Sequence, residues 1–388
     1  MGRKKDYTLR LSMIEFDQPI DRQNTDSIRW DRYDKDVIPL WVADMDFRSP
    51  ACVIEALRKR VEHGIFGYTH EPKKLKEKIV DYVYLQFNWK ISEDWIVFIP
   101  SVVSGLYSAA SQYAKKDDHI LVPRPVYHHL RWAPQKAERD FSEVELICEN
   151  NRIYINESTL QDRKEKNTRL FMFCNPHNPG GTVYSKKELE AIANFCIKNN
   201  ILICSDEIHA GMVLDDKKHI PIASISSEIS KKTITLMSLN KTFNFPGVGT
   251  AWAISENKEL RDSIRQGVGT IIPETQIFGY TSTLAALDEG EAWRKNLLQY
   301  LKKNRKLVQE KMTTIKGLNL YTIEASYLAW ISYEKSQYKD LSKLFVDHGV
   351  AVQPGSMFNE DKHFRLNFAT QSNILEEALV RIQRALKN

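Results

Sequence analysis

The sequence predicts an α/β protein: a mainly parallel sheet covered on both faces by helices, followed by a smaller α+β unit. Three observations carry that prediction. Short apolar, β-branched runs alternate with amphipathic helical patterns through the middle of the chain, the rhythm of parallel strands joined by crossover helices. After about residue 290 the pattern changes to long, charge-laced helices with few strands between them. Finally, 388 residues are more than one hydrophobic core usually serves, so two structural units are expected.

Taken in order, the first stretch is polar and irregular up to Val37-Ile-Pro-Leu-Trp-Val-Ala-Asp-Met-Asp-Phe47, which fits neither a helix nor an alternating strand. Ser49-Pro50 starts a helix with Val53, Ile54, Leu57 and Val61 on one face. Gly64 to Thr69 is a glycine-punctuated loop, and a second helix runs from about Lys73 to Phe87. Trp95 to Ile99 reads as a strand leading through Pro-Ser-Val-Val-Ser-Gly105 into a helix that reaches Tyr113. His119 to Val122 is a strand ending at Pro123, and Leu170 to Cys174 is another, closed by Asn-Pro-His-Asn-Pro-Gly-Gly181. Ser185 caps a helix whose apolar face is Leu189, Ile192, Ala193, Cys196 and Ile197. Ile201–Cys204, Ile234–Met237 and Thr250–Ile254 complete the strands of this unit. A long helix over Glu291–Met312 opens the last part, followed by strands at Tyr327–Ile331 and Phe364–Phe368 and helices near Lys339–His348 and Asn373–Lys387. The expected division is an N-terminal segment over 1–48 packing with the small unit, a large domain over 49–290 and a small domain over 291–388.

Composition narrows the function. Lys+Arg 55 against Asp+Glu 50 leaves +5, too small a surplus for this length to indicate nucleic-acid binding. No apolar run approaches ~18 residues, so no membrane span is expected. The basic start, Met-Gly-Arg-Lys-Lys-Asp, is followed by no apolar segment of the kind a signal peptide needs. Five cysteines without a CxxC pair, three of them in or beside apolar runs, suit reduced thiols in a cytosolic protein.

The unusual residues fall where strands end, which is where parallel α/β sheets bind ligands. Lys241 leaves a buried strand after Ser238; a lysine there can be desolvated, and its neutral amine can form a Schiff base. Asp206 closes a run of four apolar residues, Ile201–Cys204, and Ser205, so its carboxylate needs a cation, either a neighbouring Arg or Lys or a protonated ring nitrogen. His209 suits a turn, a ring-oxygen donor or a metal ligand, although no second His or Cys stands at ligand spacing. Ser101–Gly105 is either a plain tight connection or a helix start whose amides face an anion. The Asn175–Gly181 turns either serve structure or present the Asn178 amide. Together they suit a ligand bearing a phosphate, a basic ring nitrogen and an aldehyde, which pyridoxal 5′-phosphate combines.

With these residues in view, the chain resembles the fold-type I pyridoxal-phosphate enzymes of the aminotransferase class I/II superfamily. It is most similar to the cystathionine β-lyases of the MalY/PatB type. The motifs are Trp41-Val-Ala-Asp-Met-Asp-Phe47, Phe66-Gly-Tyr-Thr69, Asn175-Pro-His-Asn-Pro179, Ser205-Asp-Glu-Ile-His209, Lys241-Thr-Phe-Asn244 and Phe364-Arg-Leu-Asn-Phe-Ala369, in the family's order. The resemblance implies that Lys241 carries the cofactor as a Schiff base and then acts as the Cα base. It implies that Asp206 pairs with the ring nitrogen, Asn178 with the ring oxygen, and Tyr127 with the ring face. His209 stands where many relatives have a tyrosine. Val102, Val103 and Ser238 would hold the phosphate, and Tyr68 would reach the phosphate of a neighbouring subunit in a homodimer. Arg365 would clamp the substrate α-carboxylate, with Trp41 and Val42 beside it. Asn240, Ser101 and Gly180 depart from the usual serine, glycine and threonine. The implied activity is cleavage of a cysteine thioether by a cytoplasmic enzyme with no metal; an aminotransferase is the alternative. A regulator on this fold would carry a DNA-binding module, and no helix-turn-helix pattern precedes Trp41.

Overall fold

The computed structural model describes residues 16–269, 274–334 and 341–387. The basic N-terminus and the start of the helix expected near Lys339 lie outside the described residues. The strands, in chain order, are β1 (Ile38–Leu40), β2 (Ile96–Ile99), β3 (His119–Arg124), β4 (Asp140–Glu145), β5 (Ile147–Glu149), β6 (Arg152–Tyr154), β7 (Thr168–Cys174) and β8 (Leu202–Asp206). They continue with β9 (Thr233–Met237), β10 (Ala251–Ile254), β11 (Leu318–Leu320), β12 (Leu328–Tyr333), β13 (Val350–Pro354) and β14 (His363–Asn367). Helices used below are α1 (Ala51–His63), α2 (Lys73–Phe87), α3 (Val102–Gln112), α4 (His128–Lys136), α5 (Lys186–Lys198), α6 (Ile277–Glu289), α7 (Glu291–Met312), α8 (Leu341–Asp347) and α9 (Ser372–Ala385).

A seven-stranded sheet runs β2-β10-β9-β8-β7-β3-β4. Four adjacent pairs, β3 with β4, β3 with β7, β7 with β8 and β8 with β9, are parallel. Only β10 runs against its neighbours, β2 and β9. The carboxyl ends of β2, β3, β7, β8 and β9 therefore share one edge. Ile234, Leu236, Ile203 and Phe171 are fully enclosed, as near-continuous apolar strands demand.

A five-stranded sheet, β1-β13-β14-β12-β11, holds the C-terminal part. Its β1 comes from the N-terminal segment and pairs in parallel with β13, Leu40 opposite Val352. The sequence pattern identifies β12 and β14 but not β1, β11 or β13, which are three to five residues long and have no clear alternation.

Two differences from the sequence reading have physical causes. The strand expected to end at Pro123 continues to Arg124, because β3 pairs with β7 only as far as Leu121. Beyond that point the missing proline N–H interrupts no ladder on that side. Helix α6, not foreseen, carries in its first half the weak helix formers Gly279, Tyr280, Thr281, Ser282 and Thr283, so its intrinsic helical preference is low there. Its Gly279 lies against the chain at Gly249–Thr250, where a Cβ would stand 2.4 Å from the Gly249 carbonyl oxygen. Packing rather than propensity forms that helix.

Candidate active site

Along the shared edge of the large sheet a cavity of about 970 Å³ opens, lined by residues from both sheets. Of the sequence-expected site residues, Trp41, Val42, Val102, Val103, Tyr127, Asn178, Asp206, His209, Lys241 and Arg365 all line it. Ser238 and Tyr68 do not. Ser238 is buried, and its hydroxyl donates to the Thr250 carbonyl at 2.6 Å while accepting the Asn240 amide. Tyr68 is fully exposed, beside the exposed Ile65 and Phe66.

Asp206 is the last residue of β8 and is buried, 3% exposed. Its carboxylate accepts the Ile208 amide at 3.1 Å, and among the described residues it makes no ion pair. Burial pushes its pKa up to about 7. Lys241 follows β9, and its Nζ donates to the Ala43 carbonyl at 2.7 Å. Desolvation lowers its pKa to about 8, opposed by the Asp44 charge. The amine is thus easily deprotonated, as a nucleophile or base requires.

Arg365, on β14, is the third buried charge. Its Nη1 donates to Asn178 Oδ1 at 3.0 Å, its Nη2 donates to the Trp41 carbonyl at 3.2 Å, and its Nε has no partner. No carboxylate pairs with it among the described residues. Burial brings its pKa down to about 10, and the guanidinium lies over the Phe358 ring at 4.9 Å. An enclosed anion without a cation and an enclosed cation without an anion are each costly alone. Placed in one cavity, they fit a ligand that brings the missing charges.

The start of α3 has a local origin in sequence. Ser101 and Ser104 form a reciprocal capping box at the start of α3, Ser101 Oγ accepting the Ser104 amide at 3.0 Å. The box leaves the two leading amides, of Val102 and Val103, to an anion at the positive end of the helix. Gly105 lets α3 sit close on the sheet, since a Cβ there would meet Ile99 Cδ1 at 2.7 Å. Asn240, where serine is usual, also lines the cavity, and its buried Oδ1 has no partner.

Tyr127 follows β3, its amide bonded to the Asn178 carbonyl at 3.0 Å, and burial raises its phenol to about 12. His209 Nδ1 lies 3.2 Å from Ser326 Oγ, and burial lowers its pKa to about 3, so the ring is neutral. No cluster of His, Cys, Asp or Glu able to hold a metal occurs among the described residues.

The sequence reading missed the support for residues 41–49. Arg29, wholly enclosed, reaches Asp46 at 2.9 Å, while Arg22 bonds Asp44 at 2.7 Å and Asp46 at 2.8 Å. Asn367 donates to the Val42 and Asp44 carbonyls, and Asn244 to those of Met45 and Phe47. The Tyr327 hydroxyl donates to the same Ala43 carbonyl as Lys241, at 3.0 Å. The signal was present: Asn244 and Asn367 sit inside the quoted motifs, as polar residues beside apolar ones. Also missed was Glu207, buried beside Asp206. It accepts from Ser205 Oγ at 2.8 Å and the Ile222 amide at 3.3 Å, and its Oε2 lies 2.6 Å from His219 Nε2.

Residues 35–382 match the family model for aminotransferase class I and II. The chain belongs to that family, and its fold is the fold-type I arrangement. Within the family it is 30% identical to the cystathionine beta-lyase PatB of Bacillus subtilis (strain 168), over 96% of this chain and the whole of that protein. The crystal structure of OvoB matches with a TM-score of 0.94 at 38% identity, covering 96% of this chain and 99% of that one. The pyridoxal-phosphate-bound C-S lyase of Staphylococcus hominis matches with a TM-score of 0.89 at 28% identity, covering 96% and 98%.

Proposed function

We propose that this chain is a pyridoxal-phosphate-dependent carbon–sulfur β-lyase that cleaves cystathionine or a related cysteine thioether to a thiol, pyruvate and ammonia. One observation carries the reading: Lys241, with its lowered pKa, shares a cavity with an unpaired buried carboxylate, Asp206, and an unpaired buried guanidinium, Arg365. The lyases among its relatives support the choice of reaction.

When bound, pyridoxal phosphate supplies an aldehyde that captures the substrate amine and a ring that takes up the electrons released at Cα. The chain's residues do the rest. Asp206 holds the proton on the ring nitrogen, which discharges its own burial cost. The start of α3, with the Val102 and Val103 amides, would hold the phosphate; Ser238, whose hydroxyl is bonded to the Thr250 carbonyl, would act only indirectly by holding the Asn240 amide. Tyr127 covers the ring, and Asn178 and His209 serve its oxygen side. Arg365 grips the α-carboxylate through its fork beside Trp41 and Val42. Lys241, with its easily deprotonated amine, would take the Cα proton as the thiolate leaves from Cβ.

The rest of the assignment has the same standing. Residues 49–290 make the large domain and 291–388 the small one, against which the N-terminal segment packs through β1. Two copies pair so that Tyr68 of each reaches the other's phosphate site. The enzyme works in the cytoplasm; among the described residues no helix is long and apolar enough to cross a membrane.

Cystathionine or S-alkylcysteine mixed with the cofactor-loaded protein should release thiol, pyruvate and ammonia in equal amounts with no keto acid added. Strict dependence on a keto acid, with no free thiol, would make the chain an aminotransferase instead. Borohydride reduction should fix the cofactor to Lys241, as read by peptide mapping.

A further inference from the structure

The deep part of the cavity is occupied by the roles just given, but its mouth is not. Among the described residues lining the cavity, Asp206 is the only carboxylate, against Lys241, Arg365, Arg32 and Lys343. If Lys241 and Asp206 serve the cofactor and Arg365 the α-carboxylate, the charge of Arg32 remains. Arg32 is exposed, whereas Asp206 and Arg365 are enclosed, so it marks the outer part of the lining.

Arg32 is held in place. Its guanidinium carbon lies 4.8 Å from the centre of the Trp41 ring and 6.0 Å from that of Tyr33. The Trp41 indole is itself fixed, Nε1 donating to the Arg29 carbonyl at 3.1 Å and Tyr33 packing edge-on at 6.1 Å. Among the described residues Arg32 makes no ion pair. The neighbouring Asp31 is committed elsewhere, accepting the amides of Asn24 at 2.8 Å and Ser27 at 2.9 Å. A stacked guanidinium keeps its N–H edge available for a planar acid. Trp41 also carries Arg365, through its carbonyl. One residue therefore sets two cations at its opposite ends, one for each end of an elongated substrate.

We propose that Arg32, stacked on Trp41, forms a distal subsite for a carboxylate carried by the departing thiol. The preferred substrates are then cysteine thioethers with a second acid group beyond the sulfur. This inference rests on the lyase reading. Because Arg32 is exposed, the contact is screened by salt and modest in size.

The test compares S-(2-carboxyethyl)-L-cysteine with S-propyl-L-cysteine, which differ in charge at the far end but little in length. Thiol release by the cofactor-loaded protein should favour the acid in kcat/KM, mainly through KM, and 0.5 M salt should reduce the preference. Arg32→Gln should lower the ratio of the two kcat/KM values by roughly two- to fivefold, and Arg32→Glu should lower it further. Calorimetric binding of both thioethers to cofactor-loaded Lys241→Ala protein, with and without Arg32→Gln, should show the same change in ratio without turnover. A wild-type ratio near one, or a ratio unmoved by both Arg32 substitutions, overturns the subsite. Failure of both thioethers to release thiol would instead strike the lyase reading, and the binding ratio would still decide the subsite.

Discussion

Asp206 and Arg365 are both buried charges awaiting partners, yet their loss should be felt differently. Asp206 has a folded-state pKa near 7 against an ordinary 3.8, so between those values the cofactor-free fold holds a proton that the unfolded chain has lost. Its stability should therefore fall as pH rises from about 4 to 7 and stay reduced above that. Asp206→Asn removes the effect: the cofactor-free variant should resist denaturant better than wild type at pH 8, by up to a few kcal/mol, and equal it near pH 4. The same substitution should lower kcat by about a hundredfold or more, since nothing then keeps the ring nitrogen protonated. Arg365→Lys keeps a charge but loses the fork, so KM for the amino acid should rise on the order of tenfold while kcat changes less. Steady-state kinetics on one thioether separates the two roles.

Elements deliver these residues, and two small devices govern the delivery. The capping box of α3 is worth about 1 kcal/mol. Ser101→Ala should cost about that much unfolding free energy in a denaturant titration and weaken binding of pyridoxal phosphate severalfold, measured by fluorescence titration. Behind β8, His219 holds Glu207, and Asn175 Nδ2 ties the preceding loop to the Ile220 carbonyl at 3.1 Å. His219→Leu would leave a buried carboxylate short of a donor and should destabilise the chain by roughly 3 kcal/mol. His219→Gln can still donate and should recover most of that loss in the same unfolding experiment. If both variants unfold alike, the hydrogen bond is not what secures this loop.

Over the whole molecule, the two sheets meet at the cavity, the N-terminal segment contributing β1 to one sheet and Ala43 to Lys241 of the other. The exposed Tyr68 bears on the proposed pairing of copies. Tyr68→Phe should weaken cofactor binding, and mixing that variant with Lys241→Ala protein should recover activity through heterodimers with one intact site. No recovery, with subunit exchange shown independently, would exclude a shared site.

The sequence by itself determined the parallel sheet, most helix limits and the residues that carry charge at strand ends. Those follow from local rules: periodicity marks Lys73–Phe87 and Glu291–Met312, and four apolar residues before Asp206 fix its place at a buried strand's exit. Lys241 and Asp206 were legible as candidates for the same reason, whereas Arg365, inside β14, entered only through the resemblance of its motif to the family's. That the three share a cavity was implied by the resemblance but by no local pattern, because residues 206 and 365 belong to different sheets whose approach depends on long-range packing. Nor could the sequence foresee that Ser238 spends its hydroxyl on Thr250, or that α6 forms despite its composition. The support of residues 41–49 by Arg22, Arg29, Asn244 and Asn367 joins positions up to 325 residues apart. No periodicity records such contacts; only the closed fold, which must partner each buried polar group, decides them.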